Sequence, residues 1–318
     1  AQVNQWQKHE IAFTSAVDYD NPLYEVDHFR VHLESPTGRK LILNGFWDGG
    51  RDWKFRFSPD EPGHWTYRTE CADTANSGLH EQAGHFECVP PDSDLALYTR
   101  GPLVHPKGSY YLAHQDGTPF LWIACTAWNG ALKSTPEEWD RYLQHRRDHG
   151  YTAIQFVTTQ WRGCAADRAG RQAFRGSGRI AVDPAFFQRL DEKVDRINEY
   201  GLVAAPVLLW ALPFGAGREL SPGFHLPIEA AAKLAAYIVA RYQGNQVVWF
   251  LGGDGRYYGP EEDRWRTIGD LVFTEDTPGL ATLHPHGRSW VGDLYDDKHW
   301  YDIAGYQSSH SNRAGTVD

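Results

Sequence analysis

The chain has 318 residues, 41% of them hydrophobic, and a formal net charge of −10. This length allows one large domain or a small and a medium one. The acidic balance without a basic stripe argues against nucleic acid as a partner, and no apolar run is long enough to span a membrane. Aromatic residues make up 14%, with 13 Trp and 16 Tyr, which suits either a large core or a surface that stacks on sugar rings.

The amino terminus and the four cysteines are compatible with secretion but do not require it. The chain starts AQVNQW, without methionine, as a mature terminus left by signal cleavage would, and as a trimmed chain also would. Cys71 and Cys88 bracket a turn-rich stretch and could join neighbouring strands, while Cys125 and Cys164 end two later strands. Two disulfides would fit secretion, and free buried thiols fit equally.

Residues 1–94 are predicted to form a β-sandwich. Short alternating runs such as HFRVHLES and WKFRFSP are separated by the turn sequences DNP, SPTG, DGG and PDEPG. Strands at such spacing, with Gly and Pro in the turns, are typical of an all-β sandwich. The stretch VPPDSD at 89–94 is the predicted linker to a second region at 95–318.

From residue 95 onward, a small hairpin is followed by strands that alternate with helices. Thr135 and Pro136, with acids after them, are signals for a helix start, and Gly150 is a signal for its end. Strands are predicted at 120–128, 151–159, 202–210, in the run VVWFLGG that starts at 247, and at 280–286 and 301–309; helices are predicted at 135–150, 184–201, 228–244 and near 260–273.

This alternation predicts a parallel sheet, because strands that are apolar throughout are buried on both faces. A (β/α)8 barrel fits better than a nucleotide-binding sheet, since no G-x-G-x-x-G follows the first strand and polar residues gather at the carboxyl ends of the strands. Six strands are predicted, whereas such a barrel has eight. The expected fold class is therefore multidomain β plus α/β, a β-sandwich followed by a (β/α)8 TIM barrel that is incomplete at its carboxyl end.

Asp254 is the candidate catalytic residue. The apolar strand VVWFLGG stops at Gly252 and Gly253 and presents a single carboxylate. Barrel active sites are built at the carboxyl ends of the strands, so an acid held there could protonate a leaving oxygen. Aspartate is also common in turns and helix caps, and this structural alternative stays open.

Other polar and aromatic side chains near the strand ends are candidates for binding the substrate, because these ends converge on one mouth. Tryptophans there would form a stacking floor. The candidates are Trp128, Asn129, Gln155, Trp161, Arg162, Trp210, His284, Gln307 and His310. For Gln307 and His310, a purely structural role is an equal alternative, in which the side chain at the strand end hydrogen-bonds to polar groups of its own loop.

The sequence predicts neither a metal site nor a cofactor. His284 and His286 are close together, but no Cys/His/Asp cluster completes a tetrahedral ligand set. A hydrogen bond from His284 to substrate or to a catalytic carboxylate is the better interpretation. The chain has no G-x-S-x-G nucleophile elbow, and Cys125 lacks an activating partner in the sequence.

The sequence resembles two adjoining parts of many bacterial polysaccharide hydrolases. HEIAF, GFWDGG and WKFRFSPDEPGHWTY resemble the small β-sandwich domain of the DUF5060 type. PFLWIACTAW, GYTAIQFV, VVWFLGGD, LATLHPHG and WYDIAGYQSSH resemble the apiosidase-like barrels of the DUF4038 type, glycoside hydrolase family 140 and its relatives. Together the two resemblances cover nearly the whole chain.

The resemblance implies a retaining exo-glycosidase that acts on complex polysaccharide side chains, in a bacterial secreted, periplasmic or cell-surface location. Asp254 matches the general acid/base position at the end of strand four. The nucleophile, a Glu at the end of strand seven, is expected beyond residue 318, because strands seven and eight are lacking among the predicted elements. Asp293, Asp296 and Asp297 look like loop or helix-start acids and are not expected to replace it. The alternative is a non-catalytic carbohydrate-binding or structural protein on a degenerate barrel.

Overall fold

The computed structural model describes residues 1–308. Its first region consists of strands and one short helix: β1 (Gln2–Asn4), β2 (His9–Thr14), α1 (Pro22–Glu25), β3 (Phe29–Glu34), β4 (Lys40–Asn44), β5 (Phe46–Gly49), β6 (Asp52–Phe57), β7 (Gly63–Cys71) and β8 (Ala83–Val89). One sheet has the order β1-β8-β7-β3-β4 and the other β2-β6-β5. All pairs are antiparallel except β1 with β8.

Alternation along the strands builds the core of this region. In β3, Phe29, Val31 and Leu33 are buried, whereas the residues between them are more exposed. These three side chains share one apolar cluster with Trp53 and Phe55 of β6, in the other sheet. The two sheets therefore face each other across one core, as the predicted sandwich requires.

The second region contains a parallel sheet with the longer helices around it. Its elements are α2 (Ala96–Thr99), β9 (Leu103–Val104), β10 (Leu112–His114), β11 (Pro119–Phe120), β12 (Ala124–Thr126), α3 (Gly130–Lys133), α4 (Pro136–Asp148), β13 (Ala153–Val157), β14 (Phe174–Arg175), β15 (Ala181–Val182), α5 (Pro184–Glu199), β16 (Val203–Trp210), α6 (Pro222–His225), α7 (Ile228–Tyr242), β17 (Val248–Gly255), α8 (Glu262–Val272) and β18 (Leu280–Pro285). The parallel sheet has the order β12-β13-β16-β17-β18, which is also the chain order.

Local signals in the sequence account for the helix positions. At the start of α4, the Thr135 side chain accepts a hydrogen bond from the Glu138 backbone, and the Glu138 side chain accepts one from the Thr135 backbone. This capping box satisfies two backbone donors that the first helical turn leaves free. The helices predicted at 135–150, 184–201, 228–244 and near 260–273 are confirmed as α4, α5, α7 and α8, with slightly different ends.

The predicted sixth strand is not a regular strand. Within residues 1–308 it is reduced to a single parallel bridge between Thr282 and Ile303, and the backbone of Asp302 bonds to Ala281 at the start of β18. The segment follows β18 but does not continue as a ladder. The described residues form the α/β part of the predicted fold class, and a closed eight-stranded barrel is not seen among them.

A buried ion network joins the two regions. Arg241 of α7, which is fully buried, lies 2.7 Å from Asp48 of β5 and 2.7 Å from Asp191 of α5. Arg56 of β6 also lies 2.7 Å from Asp191, and 2.7 Å from Glu10 of β2. Burial opposes ionisation of Asp191, but the charges of Arg241 and Arg56 outweigh it, so its pKa is lowered. Buried charges require such partners, and here each region supplies some of them.

The four cysteines are free thiols. Cys71 and Cys88 lie on the neighbouring strands β7 and β8, but Cys71 is opposite Phe29 of β3 and Cys88 is opposite Gly63 at the other end of β7. Burial raises the pKa of Cys71 and raises that of Cys88 to about 11. Of the two alternatives, free thiols are therefore the one observed, with Cys125 only partly buried. Among residues 1–308, no helix has both the length and the apolar character needed to cross a bilayer.

Candidate active site

Asp254 lies at the carboxyl end of β17 on a sharply turned backbone. Its φ of +56° is in the left-handed region, which side chains other than glycine rarely adopt. A Cβ on Gly253 would lie 2.5 Å from Cε3 of Trp210, and a Cβ on Gly252 would lie 2.5 Å from the Tyr257 hydroxyl. The double glycine is therefore required by rings that pack directly on the strand, and these rings fix the backbone that presents Asp254.

The Asp254 carboxylate shares a polar partner with His284. In the orientation in which the Gln307 amide nitrogen faces acceptors, this nitrogen lies 3.2 Å from Oδ1 of Asp254, 3.0 Å from Nε2 of His284 and 2.9 Å from the Pro285 carbonyl oxygen. An amide nitrogen only donates, and these three acceptors share its two hydrogens. The segment that follows the Ile303 bridge therefore contributes directly to the surroundings of Asp254.

His284 is a partly buried ring whose pKa is lowered. Burial is the main cause, and Asp254 and Gln307 offset it only in part. Because Nε2 accepts from Gln307, the neutral ring carries its proton on Nδ1, and Nδ1 has no hydrogen-bond partner among the described residues.

Trp128, Trp161, Trp210 and His284 form a packed cluster, here called the inner aromatic group. Trp128 stacks on His284 with ring centroids 5.7 Å apart and planes 18° apart. Trp210 lies 5.1 Å from Trp128 and 4.4 Å from Trp161 between centroids. The indole nitrogen of Trp161 donates to Oδ1 of Asn129 at 2.7 Å. With Gln307, six of the predicted substrate-binding residues are thus brought together near Asp254.

The remaining predicted residues are less closely connected to this cluster. Gln155 is buried on β13, and its Nε2 has no partner among residues 1–308. Arg162 is exposed, and its guanidinium lies against Gly215 in the loop after β16. His310 lies outside the described residues.

The structure adds a set of rings, Phe214, Tyr258 and His286, here called the outer aromatic group, of which Phe214 and Tyr258 are exposed and His286 is partly buried. The Tyr258 hydroxyl lies 3.0 Å from Nε2 of His286, and the Phe214 and His286 centroids are 6.3 Å apart. Phe214 and Tyr258 are not predicted from the sequence. Loop residues have no periodicity that would mark them. The signal in the sequence is that both residues lie in the loops that follow Trp210 and Asp254.

The described residues give no ligand set for a metal site, and a second cleft lies away from the Asp254 mouth. Among residues 1–308, no group of three or more His, Cys, Asp or Glu side chains is placed to hold a metal ion. A cleft of about 700 Å³ lies between the sandwich and α7, with Trp47, Asn44 and Lys233 in its lining. None of the predicted site residues lines this cleft, so it is separate from the Asp254 mouth.

Comparison with known families agrees with the fold and with the resemblance in the sequence. Residues 106–317 match the family described as "Apiosidase-like, catalytic domain", and residues 2–72 match the domain of unknown function DUF5060. The first match covers more than half of the chain. The chain belongs to the apiosidase-like catalytic domain family.

Solved structures show the same architecture. The chain is 21% identical, with a TM-score of 0.73, to a Bacteroides vulgatus protein provisionally described as a glycoside hydrolase, over 91% of this chain and 57% of that one. It is 22% identical (TM-score 0.57; 67% and 46% covered) to a family 5 glycoside hydrolase from Bacteroides vulgatus. A third structure, titled "Glycoside hydrolase", is 24% identical, with a TM-score of 0.56, over 67% and 47%.

These identities are low, so the structural likeness concerns the fold alone. The chain spans between 46% and 57% of the length of these three structures. None of the curated proteins compared with the chain matches it.

Proposed function

We propose that the protein is a retaining exo-glycosidase that removes sugars from side chains of complex polysaccharides, with Asp254 as its general acid/base. The observation that carries the proposal is the carboxylate itself, held on a left-handed backbone at the end of a buried strand beside the inner aromatic group. A carboxylate next to stacked rings suits a sugar that must be both positioned and protonated. An apiose-bearing pectin branch is the first substrate to test, because the chain belongs to the apiosidase-like family.

In this mechanism Asp254 gives its proton to the glycosidic oxygen while the bond from this oxygen to the anomeric carbon breaks. A nucleophilic Glu forms a bond to the same carbon and holds the sugar covalently. Asp254 then takes a proton from water, which attacks the anomeric carbon and releases the Glu. The resemblance assigns this Glu to a strand after residue 318, about 5–5.5 Å from the acid/base, as retaining enzymes require.

The wider setting follows from the substrate. A complete eight-stranded barrel would bring the acid/base and the nucleophile to one mouth. We also propose that the chain consists of two domains, a β-sandwich up to residue 94 and the barrel from residue 95. Polysaccharides are too large to enter a cell intact, so we assign the protein to a secreted, periplasmic or cell-surface location. Gln307, which also bonds to His284, would hold Asp254 through both steps.

One observation favours a non-catalytic glycan-binding protein as the second candidate. Among residues 1–308, none of the side chains that hydrogen-bond or stack with Asp254 or with the inner aromatic group is another carboxylate. Binding of glycans without turnover, by a chain that includes the residues after 318, would support this candidate.

The test is sugar release from branched pectins, arabinans and galactans, by this chain and by the chain extended past Asp318. Asp254→Asn should reduce release by about 10²- to 10⁴-fold, the usual contribution of a general acid/base. A glycosyl fluoride of the released sugar needs no protonation to leave, so its first step should be much less affected. In the second step azide can attack the anomeric carbon in place of water, and it needs no general base. Azide should therefore restore turnover of the glycosyl fluoride by Asp254→Asn.

Asp293→Asn is the matched control, because Asp293 lies in a short 3₁₀ turn at Gly292–Leu294. This variant should keep the wild-type rates on both substrates. Sugar release that is undiminished in Asp254→Asn would refute the assignment of Asp254.

A further inference from the structure

The outer aromatic group is unusual because large rings remain exposed at the mouth of the site. Phe214 is 49% exposed and Tyr258 is 36% exposed, whereas Trp210 and Trp161 of the inner group are 4% and 7% exposed. Exposed rings that cluster at a cleft mark a surface for a flat partner more often than single scattered rings do. The inner group is therefore the more buried layer and the outer group the more exposed layer at one end of the sheet.

Hydrogen bonds hold His286, and Tyr258 through it, to the strand that carries Asp254. The backbone nitrogen of His286 donates to the carbonyl oxygen of Gly255, the residue after Asp254, at 3.1 Å. In the His286 ring, Nδ1 lies 3.1 Å from the carbonyl oxygen of Gly287 and must donate to it. In the neutral ring Nε2 is then an acceptor, and it receives the Tyr258 hydroxyl at 3.0 Å.

The rings of this group are contiguous. Phe214 meets His286 edge-on, with an interplanar angle of 74°, and the Tyr258 and His286 centroids are 5.9 Å apart. Each ring comes from the loop after a different strand, namely β16, β17 and β18. A ligand that covers these rings would touch three loops at once, next to the residue proposed to protonate the leaving oxygen.

We propose that Phe214, Tyr258 and His286 form the subsite for the leaving-group side of the substrate, so that the enzyme prefers sugars attached to an oligosaccharide. This inference rests on the proposed function. In an exo-acting enzyme the terminal sugar lies on the inner side of the acid/base and the rest of the glycan extends outward. The bond from His286 to Gly255 places the outer aromatic group beside Asp254, where the first leaving-group sugar would stack.

Binding measured by calorimetry tests this subsite without requiring turnover. The parent is Asp254→Asn, and the probes are an apiose-bearing pectic oligosaccharide and free apiose, with arabinan and galactan oligosaccharides for comparison. The pectic oligosaccharide should bind at least about tenfold more tightly than apiose. Adding Phe214→Ala or Tyr258→Ala to the parent should weaken this binding about 5- to 30-fold, equivalent to about 1–2 kcal/mol, and should leave the binding of apiose unchanged.

Two control variants separate ring stacking from other effects. Tyr258→Phe keeps the ring and should bind within about twofold of the parent, because only one exposed hydrogen bond is lost. Tyr110→Ala removes a fully exposed ring from the β9–β10 connection and should change nothing. Unfolding curves for all variants would detect any loss of folded protein.

The outcomes distinguish this inference from the proposed function. Oligosaccharide binding that is unaffected by both alanine variants, or no tighter than apiose binding, would overturn the subsite. Failure of the chain to bind any oligosaccharide of the panel would overturn it as well. Sugar release that persists in Asp254→Asn would refute the proposed mechanism, whereas ring-dependent oligosaccharide binding would still support the subsite.

Discussion

Replacing Gly253 by alanine should destabilise the protein, because the added methyl group has no space. The new Cβ would lie 2.5 Å from Cε3 of Trp210 and 2.7 Å from Cγ1 of Val207. Carbon atoms pack best at about 3.5–4.0 Å, so both contacts are about 1 Å too short. Trp210 and Val207 are 4% and 0% exposed and cannot move into solvent. Overpacking of this kind costs about 1–3 kcal/mol.

Urea unfolding of Gly253→Ala beside Gly178→Ala measures this cost. A Cβ on Gly178 would meet no atom within 4 Å, and neither glycine has a left-handed φ. Both substitutions reduce the entropy of the unfolded chain by a similar amount, about 0.4–1 kcal/mol in favour of folding, and this effect cancels in the comparison. Gly253→Ala should therefore be less stable than Gly178→Ala by about 1–3 kcal/mol.

Equal stability of the two variants would refute the claim that rings packed on the strand require the double glycine. A lower stability should also be accompanied by reduced sugar release, because Trp210 would be pushed against the residues next to Asp254. The unfolding measurement alone decides the packing argument.

Asp191→Asn should lower the free energy of unfolding at pH 7 by about 3–5 kcal/mol, because Arg241 and Arg56 lose a buried carboxylate. The pKa of Asp191 is lowered in the folded state, so its stabilisation is present above the unfolded pKa of about 3.9 and is lost as pH falls through the folded value. Urea unfolding from acid to neutral pH should show the two proteins converging towards low pH, and a constant difference would contradict this. Gln307→Leu should leave the fold intact but reduce sugar release about tenfold, because Asp254 loses its amide partner; unchanged kcat/KM would contradict the role given to Gln307.

Much of the second region could be predicted, because its elements carry local signals. The apolar run before Asp254 predicted β17, and Thr135 with Pro136 predicted the start of α4. The rule that parallel strands end at one mouth also placed Trp128, Trp210 and His284 near one another, and their rings are in contact. These inferences needed only the order of elements and the direction of the strands.

The rest depends on contacts between distant positions. Arg56 and Asp191 are 135 positions apart, and no periodicity links them. The double glycine is visible in the sequence, but the ring of Trp210 that requires it is visible only in the fold. Similarly, Phe214 and Tyr258 lie in loops of irregular conformation, where composition does not show which rings face one another.

The ion network between the regions also limits how this architecture can be recombined. A different sandwich joined to the same α/β region would have to supply an acid in the place of Asp48 and a base in the place of Arg56, in the correct register. Without them, Arg241 and Asp191 would each lose ion partners in a buried site and depend mainly on each other for charge compensation. The two regions are thus expected to be inherited as a matched pair, and chimeras would need both halves of this junction transferred together.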